Sequence, residues 1–233
     1  MADVLDEAFG DPAERRAYEA FCAEQDRGLE GFQLDKPALV CRWRMAGKHV
    51  PLLNRHIRAL SQRKVNGKPL SKNLVSWVKQ HIEWSLAEGD FPQRDGVLML
   101  VVDANGQAAM SVGDYEPLGD TTAVALKERA RAAQSEAAET EVAPEAICSI
   151  DGNALYVGGR FNLHPSGTVS LVEQLAKTRG MEVRPIPMLG AVSSESCFLV
   201  SDEHGVVPAI DGAPHPFIDL CAEGYERLRD KAR

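Results

Sequence analysis

The segment from Ser166 to Gly212 constrains the fold of this chain more than any other part of the sequence. Ser166 is a good helix N-cap, and Gly180 follows an amphipathic run at the place where a helix would end. The patterns predict four elements in order: a helix over 168–179, a strand over 182–186, and two hairpin strands, 197–200 and 206–210.

The first half of the chain shows the same mixture of periodicities. Alternation over residues 38–53 predicts a hairpin that carries Trp43 in its first strand. Apolar residues at helical spacing follow Ser71 and predict a helix that ends at Gly89. Asn105-Gly106 lies between two apolar runs and predicts a second hairpin. Strands and helices do not alternate regularly, so the pattern favours an α+β fold over a doubly wound sheet.

Residues 114–120 contain glycine, proline and acidic residues, a composition typical of a connection between domains. We therefore expect an N-terminal α+β domain over residues 1–115 and a C-terminal α/β domain over residues 116–233. The alanine- and charge-rich stretch 121–141 predicts a surface helix at the start of the second domain.

Composition excludes several classes of function. The formal net charge is -8 over 233 residues, which disfavours nucleic-acid binding because such proteins present a basic face. No apolar run reaches the length needed to cross a bilayer, and the acidic start does not resemble a secretory signal. The five cysteines form no CxxC pair and predict neither a zinc site nor a disulfide framework. We expect a cytoplasmic protein with free thiols and no membrane partner.

Three motifs carry a resemblance to a known family. They are VPLLNRHIRALSQ from Val50, HPSGTVSLVEQLA from His164 and ESCFLVSDEHGVVPAIDG from Glu195. Together they resemble the fold-type IV pyridoxal-phosphate (PLP) proteins, the class-IV aminotransferases and aminodeoxychorismate lyases, over roughly residues 39–228. The resemblance implies the two-domain architecture of the D-amino acid aminotransferase type and a homodimer.

The resemblance also implies where a phosphate group would bind. Ser166, Gly167 and Thr168 match the start of the family's phosphate-binding helix, and free N–H groups at a helix N-terminus suit an anion. The alternative is that Ser166 or Thr168 is an ordinary N-cap. We expect this N-terminus to face a cleft between the two domains.

Three positions depart from the family pattern. Ala59 stands where the family has a phosphate-pairing arginine, and Asp202 stands where it has a small hydroxyl residue. Gly158 or Gly159 stands where it has a glutamate for the pyridine nitrogen. A carboxylate at residue 202 would repel a phosphate dianion. The three departures together predict a diverged member that has lost PLP catalysis and has no cofactor.

Lys127 is the single lysine between Lys79 and Lys177, so the resemblance makes it the candidate Schiff-base lysine. Its surroundings are typical of an exposed helix, whereas a reactive lysine needs a desolvated pocket. Two functions therefore stay open. One is a pseudoenzyme, which either binds a small ligand such as an anion in the interdomain cleft or acts by interacting with other molecules. The other is an active PLP-dependent aminotransferase or lyase that uses Lys127.

Asp202, Glu203 and His204 are consecutive, which raises the question of a metal site. Consecutive residues rarely converge on one ion, and neither HxxxH nor HxxE spacing occurs. We expect no metal site and a solvated loop at this position.

Overall fold

The N-terminal half of the protein is built on a three-stranded antiparallel sheet. The structure, a computed structural model, describes residues 12–13, 16–20, 34–89, 95–159, 163–187 and 196–230. The sheet has the order β1-β4-β5 and contains β1 (Pro37–Ala46), β4 (Asp95–Asp103) and β5 (Ala108–Asp114). Helices α1 (Leu53–Leu60) and α2 (Lys72–Glu88) and a small ladder of β2 (Lys64–Val65) and β3 (Lys68–Pro69) complete it.

Two predicted features of this half are confirmed. Ser71 caps α2 through the Leu74 N–H, and Gly106 lies in the β4–β5 turn at φ 83°, where glycine is unstrained. The predicted hairpin over 38–53 is wrong beyond its first strand. The segment after β1 makes a single bridge, Ala46 to His49, while β1 pairs along its length with β4. The long-range pairing prevails because it buries the apolar face of β1 in the core.

The C-terminal half is a five-stranded sheet covered by helices on both faces. Its strand order is β10-β9-β6-β7-β8, and only β7 and β8 are parallel. Its strands are β6 (Glu145–Asp151), β7 (Ala154–Gly158), β8 (Glu182–Ile186), β9 (Ser196–Ser201) and β10 (Gly205–Pro208). Its helices are α3 (Ala123–Thr140), α4 (Gly167–Thr178) and α5 (Pro216–Asp230). The predicted elements of the segment 166–212 are all present.

Alternating side chains of the central strands fill two separate layers. On one face, Cys148 and Phe198 pack with residues of α4 and α5. On the other face, Ile147 and Leu199 pack with Leu126 of α3. This arrangement explains why β6 and β9 are buried almost throughout rather than alternating in polarity. Among the described residues, no helix has both the length and the apolar character of a transmembrane span.

The two halves meet where α1 packs against α4. The backbone reinforces this junction, since the Arg44 N–H of β1 donates to the Asp202 carbonyl, 3.1 Å away, in the turn after β9. Ser166, Gly167, Thr168, Ala59 and Asp202, which the family resemblance singles out, lie at this junction.

Candidate functional site at the α4 N-terminus

The site begins with the N-cap of α4. Ser166 has an extended backbone, and its hydroxyl oxygen accepts a hydrogen bond from the Val169 N–H. The same hydroxyl donates to Asp202 Oδ1 at 2.9 Å. Both side chains are buried. The ordinary N-cap role of Ser166 is therefore confirmed, and the cap is also joined to a carboxylate in the turn after β9.

Asp202 occupies the position that an anionic ligand would take at this helix. Its Oδ1 accepts the Thr168 N–H at 2.9 Å as well as the Ser166 hydroxyl. The Thr168 N–H is a free backbone donor of the first turn, and both groups lie at the positive end of the helix dipole. The α4 N-terminus thus binds an anion, and the anion is a side chain of the same chain.

A well-defined turn after β9 positions Asp202. The Ser201 hydroxyl accepts from the backbone N–H groups of Glu203 and His204, at 3.1 and 3.0 Å. Gly205 then takes φ 74°, a conformation that glycine adopts without strain. The Asp202 N–H is bound to the Pro144 carbonyl at 3.1 Å. Backbone bonds on both sides of Asp202 therefore fix its carboxylate at the helix.

His56 of α1 closes the site from the N-terminal half. Its buried ring stacks on Trp43 with centroids 5.3 Å apart, and its Nδ1 lies 3.5 Å from Asp202 Oδ2. That distance is typical of an ion pair rather than of a direct hydrogen bond. A Cβ on Gly167 would lie 2.3 Å from His56 Nδ1, so only glycine lets the ring pack against the start of α4.

The balance of forces keeps Asp202 ionised. Burial by itself raises the pKa of this carboxyl group, but the neighbouring His56, the Thr168 N–H and the Ser166 hydroxyl together outweigh burial. The net result is a pKa below the ordinary value for aspartate. The lowered pKa favours the ionised form of Asp202 at the helix.

The residues present do not fit a PLP phosphate. The oxygens of Asp202 take the donors that a phosphate would need, and the His56 ring fills the space beside Gly167. A cavity of about 10 Å³ adjoins Ser166, and Gly158 and Gly159 are among the residues that line it. Such a volume holds about one water molecule and is far too small for a pyridine ring.

The α4 N-terminus faces α1 of the other half, whereas the expectation was that it faces a cleft between the two domains. The site there is closed rather than an open cleft, because Ser166 and Thr168 are 1 % and 0 % exposed. Ala59 lies on α1, one turn after His56, and is also buried.

Lys127 lies in a different part of the structure. It is half-buried on α3, and its charge acts on Cys197 at the start of β9. Burial, and then Asp211, raise the pKa of that thiol to about 11, with Lys127 opposing them. Asp202 is five residues further along the same extended chain, a separation of roughly 16 Å. The structure therefore does not bring Lys127 together with Ser166, Gly167 and Thr168.

The expectation of a solvated loop at residues 202–204 is wrong. Asp202, Glu203 and His204 are 2 %, 7 % and 9 % exposed. Each of them makes a hydrogen bond to a different partner. Asp202 bonds to α4, Glu203 bonds to Arg42, and His204 Nδ1 lies 3.1 Å from the Tyr115 hydroxyl. Burial and the charge of Arg129 lower the pKa of His204 to about 4. Within the described part of the chain, no group of three or more acidic, histidine or cysteine side chains could hold a metal.

Sequence reasoning missed a charged cluster next to this turn. Glu145 pairs with Arg129 of α3, and Glu203 pairs with Arg42 of β1. Burial raises the pKa of Glu145, against the opposing effect of Arg129 and Ser201. These residues come from four distant parts of the sequence and form no local motif, so no pattern signalled them. They line a cavity of about 320 Å³ between the two halves.

No protein-family model matches the sequence, and no curated protein matches it. The fold, however, is similar to several solved structures. One is a candidate branched-chain amino acid aminotransferase from Thermotoga maritima, with a TM-score of 0.55, 14% identity, and 88% of each chain covered. Another is a candidate 4-amino-4-deoxychorismate lyase from Legionella pneumophila subsp. pneumophila str. Philadelphia 1, with a TM-score of 0.54, 10% identity, and 84% and 95% of the two chains covered.

A third similar structure is a fold IV-transaminase from Curtobacterium pusillum. Its TM-score is 0.52 at 14% identity, with 84% of this chain and 90% of that chain covered. At such identities the similarity concerns the fold. The chain therefore has the α+β fold of the fold-type IV aminotransferases and aminodeoxychorismate lyases.

Proposed function

We propose that this protein is a non-catalytic relative of the fold-type IV aminotransferases that does not use PLP. In this proposal it binds a small ligand in the cleft between its two halves. The observation that carries the proposal is the carboxylate of Asp202, which is bound to the Thr168 N–H and the Ser166 hydroxyl at 2.9 Å each.

Charge is the first argument. A phosphate ester carries nearly two negative charges at neutral pH. Each of them, about 4 Å from a carboxylate, would cost about 4 kcal/mol at the effective dielectric constant typical of proteins. The His56 imidazole is the group that faces the other oxygen of Asp202, with Nδ1 3.5 Å from Oδ2. Asp202 therefore opposes the anion that the fold-type IV scaffold would otherwise receive.

Space is the second argument. The His56 ring lies between Trp43 and Gly167, so it cannot withdraw from the helix without breaking the stack on the indole. The donors of α4 are also fully buried. A cofactor would have to displace both the imidazole and the carboxylate before its phosphate could reach the helix.

The position of Lys127 is the third argument. This lysine lies beside Cys197, at the opposite end of β9 from Asp202. A cofactor bound at α4 would not be within reach of its amine. This separation supports the non-catalytic function over an active PLP enzyme.

The proposal can be tested with PLP itself. Wild-type protein is incubated with PLP, treated with borohydride, digested and analysed by mass spectrometry for a phosphopyridoxyl group on lysine. Lys127→Ala and the surface control Lys79→Ala are treated in parallel. We expect no site-selective adduct in wild type. A stoichiometric adduct that Lys127→Ala abolishes and Lys79→Ala retains would establish the active enzyme instead.

The homodimer is also part of the proposal, in the two-domain arrangement with residues 1–115 and 116–233. Light scattering coupled to gel filtration measures the mass directly. We expect twice the 25.4 kDa of the chain, and a monomeric mass at micromolar concentration would contradict this part of the proposal.

A further inference from the structure

The cavity of about 320 Å³ between the two halves is distinct from the closed site at α4. It lies between β1, α3 and the ends of β6 and β9. Its apolar wall consists of Val40, Ala132, Ala133 and Pro144, and its polar wall is the cluster of Arg42, Arg129, Glu145, Ser201 and Glu203. The volume lies at the small end of the range for small-molecule sites.

The two buried carboxylates of the polar wall have their hydrogen bonds made. Arg42 binds Glu203 with two nitrogens, Nε to Oε2 at 2.7 Å and Nη2 to Oε1 at 2.8 Å. Glu145 accepts from the Ser201 hydroxyl at 2.8 Å and from Arg129 Nε at 2.9 Å. Neither carboxylate is available to bind a cation in the cavity without giving up an arginine.

The two guanidinium groups, in contrast, retain donors. An arginine has five N–H donors. Among the described residues, Nη1 of Arg42 and Nη1 of Arg129 have no acceptor, and Arg129 Nη2 is 3.9 Å from the nearest oxygen of Glu203. The two side chains line the cavity and are 53% and 37% exposed to solvent, so these donors are accessible. The polar wall can therefore donate hydrogen bonds to an acceptor on a ligand that displaces water.

The remaining acid at the cavity does not change this conclusion. Glu136 is paired with Arg63, whose Nη1 lies 3.1 Å from Glu136 Oε1. A ligand ammonium group would therefore compete with an existing ion pair. A ligand carboxylate would find free donors that buried acids already hold in place.

We propose that this cavity binds a short-chain monocarboxylate, with the carboxylate on Arg42 and Arg129 and the hydrocarbon chain on the apolar wall. This inference rests on the proposed ligand-binding function of the cleft, and it names the chemical class of the ligand. Arg42 and Arg129 give free N–H donors for a carboxylate, since guanidinium groups bind this group in a planar, bidentate manner. Val40, Ala132, Ala133 and Pro144 give a surface for a few methylene groups.

Isothermal titration calorimetry of the full chain with three matched probes tests the inference. The probes are butyrate, n-butylamine and n-butanol, which share the hydrocarbon chain and differ in the head group. We expect saturable binding of butyrate alone, in the millimolar range typical of a ligand of this size. Saturable binding of butylamine, or equal binding of butyrate and butanol, would overturn the carboxylate assignment.

Two variants locate the binding. Ala132→Leu places a larger helix-compatible side chain at the cavity, and Ala138→Leu makes the same change on the exposed side of α3 outside the cavity. We expect Ala132→Leu to abolish butyrate binding and Ala138→Leu to leave it unchanged. Arg42→Gln should weaken butyrate binding at least about tenfold, because a charge-assisted contact is lost. Unchanged binding in Ala132→Leu would overturn the location.

PLP uptake is measured on the same wild-type sample, which separates the two proposals. A lysine adduct with PLP refutes the non-catalytic function whatever butyrate does. Absence of butyrate binding in a protein that also takes up no PLP refutes the inference about the cavity and leaves the non-catalytic function intact.

Discussion

Replacing Asp202 with alanine should cost a large part of the stability of this protein. The change leaves a buried imidazole, the Ser166 hydroxyl and the Thr168 N–H without their shared acceptor. Removing one partner of a buried ion pair costs about 3–5 kcal/mol. For a chain of this size, that corresponds to a fall in melting temperature of about 6–20 °C. Asp114→Ala, at an exposed carboxylate on β5, is the matched control and should cost less than about 0.5 kcal/mol.

Chemical rescue adds a specific signature. Formate has the carboxylate that the alanine variant lacks, so it should bind at the α4 N-terminus of Asp202→Ala and not of wild type. At a concentration a hundredfold above its dissociation constant, a ligand adds about 2.7 kcal/mol to the free energy of unfolding. Thermal melts with formate and with chloride at equal ionic strength measure this effect. A melting temperature of Asp202→Ala within about 2 °C of wild type, or equal stabilisation of both proteins by formate, would refute the reasoning.

Three further predictions concern packing, pH and the candidate lysine. Gly167→Ala should lose about 1–3 kcal/mol because its Cβ would lie 2.3 Å from His56, whereas Gly224→Ala, with no atom within 4 Å, should be neutral or gain up to about 1 kcal/mol in urea titrations. The pKa of His204 is lowered to about 4, so wild type should lose stability as the pH falls from about 6.5 towards 4. The loss should exceed that of His204→Gln by up to about 3 kcal/mol, and urea midpoints that change with pH equally in the two proteins would contradict this. Lys127→Ala should change the free energy of unfolding by less than about 0.5 kcal/mol, and a loss above 2 kcal/mol would show a structural role that its position does not suggest.

Local patterns were sufficient to predict most of the secondary structure. The cap at Ser166, the cap at Ser71 and the turn at Gly106 are short-range features whose physics does not depend on the rest of the chain. The partner of β1 could not be predicted in this way. The sequence pattern of β1 is compatible with pairing to the next segment or to a distant strand. Which pairing forms depends on how the whole core packs.

The candidate site was predictable in part. The proximity of Asp202 to the α4 N-terminus followed from the family resemblance, and the structure confirms it. What the carboxylate does there was not predictable from the residue type. An aspartate at this position could repel an anionic ligand, and it could also accept the hydrogen bonds of the helix N-terminus itself. The pairs made by Arg42 and Arg129 join residues 161 and 16 positions apart, respectively, and leave no trace in local spacing.

The turn after β9 has a mechanical consequence for the whole molecule. Its three consecutive polar residues hold α4, β1 and the segment that follows β5, each through a different bond, and a single serine hydroxyl orders the turn. If this turn opened, all three attachments would be released together. Amide protons of the turn, of the start of α4 and of β1 near Arg42 should accordingly exchange in one cooperative step, at a common rate.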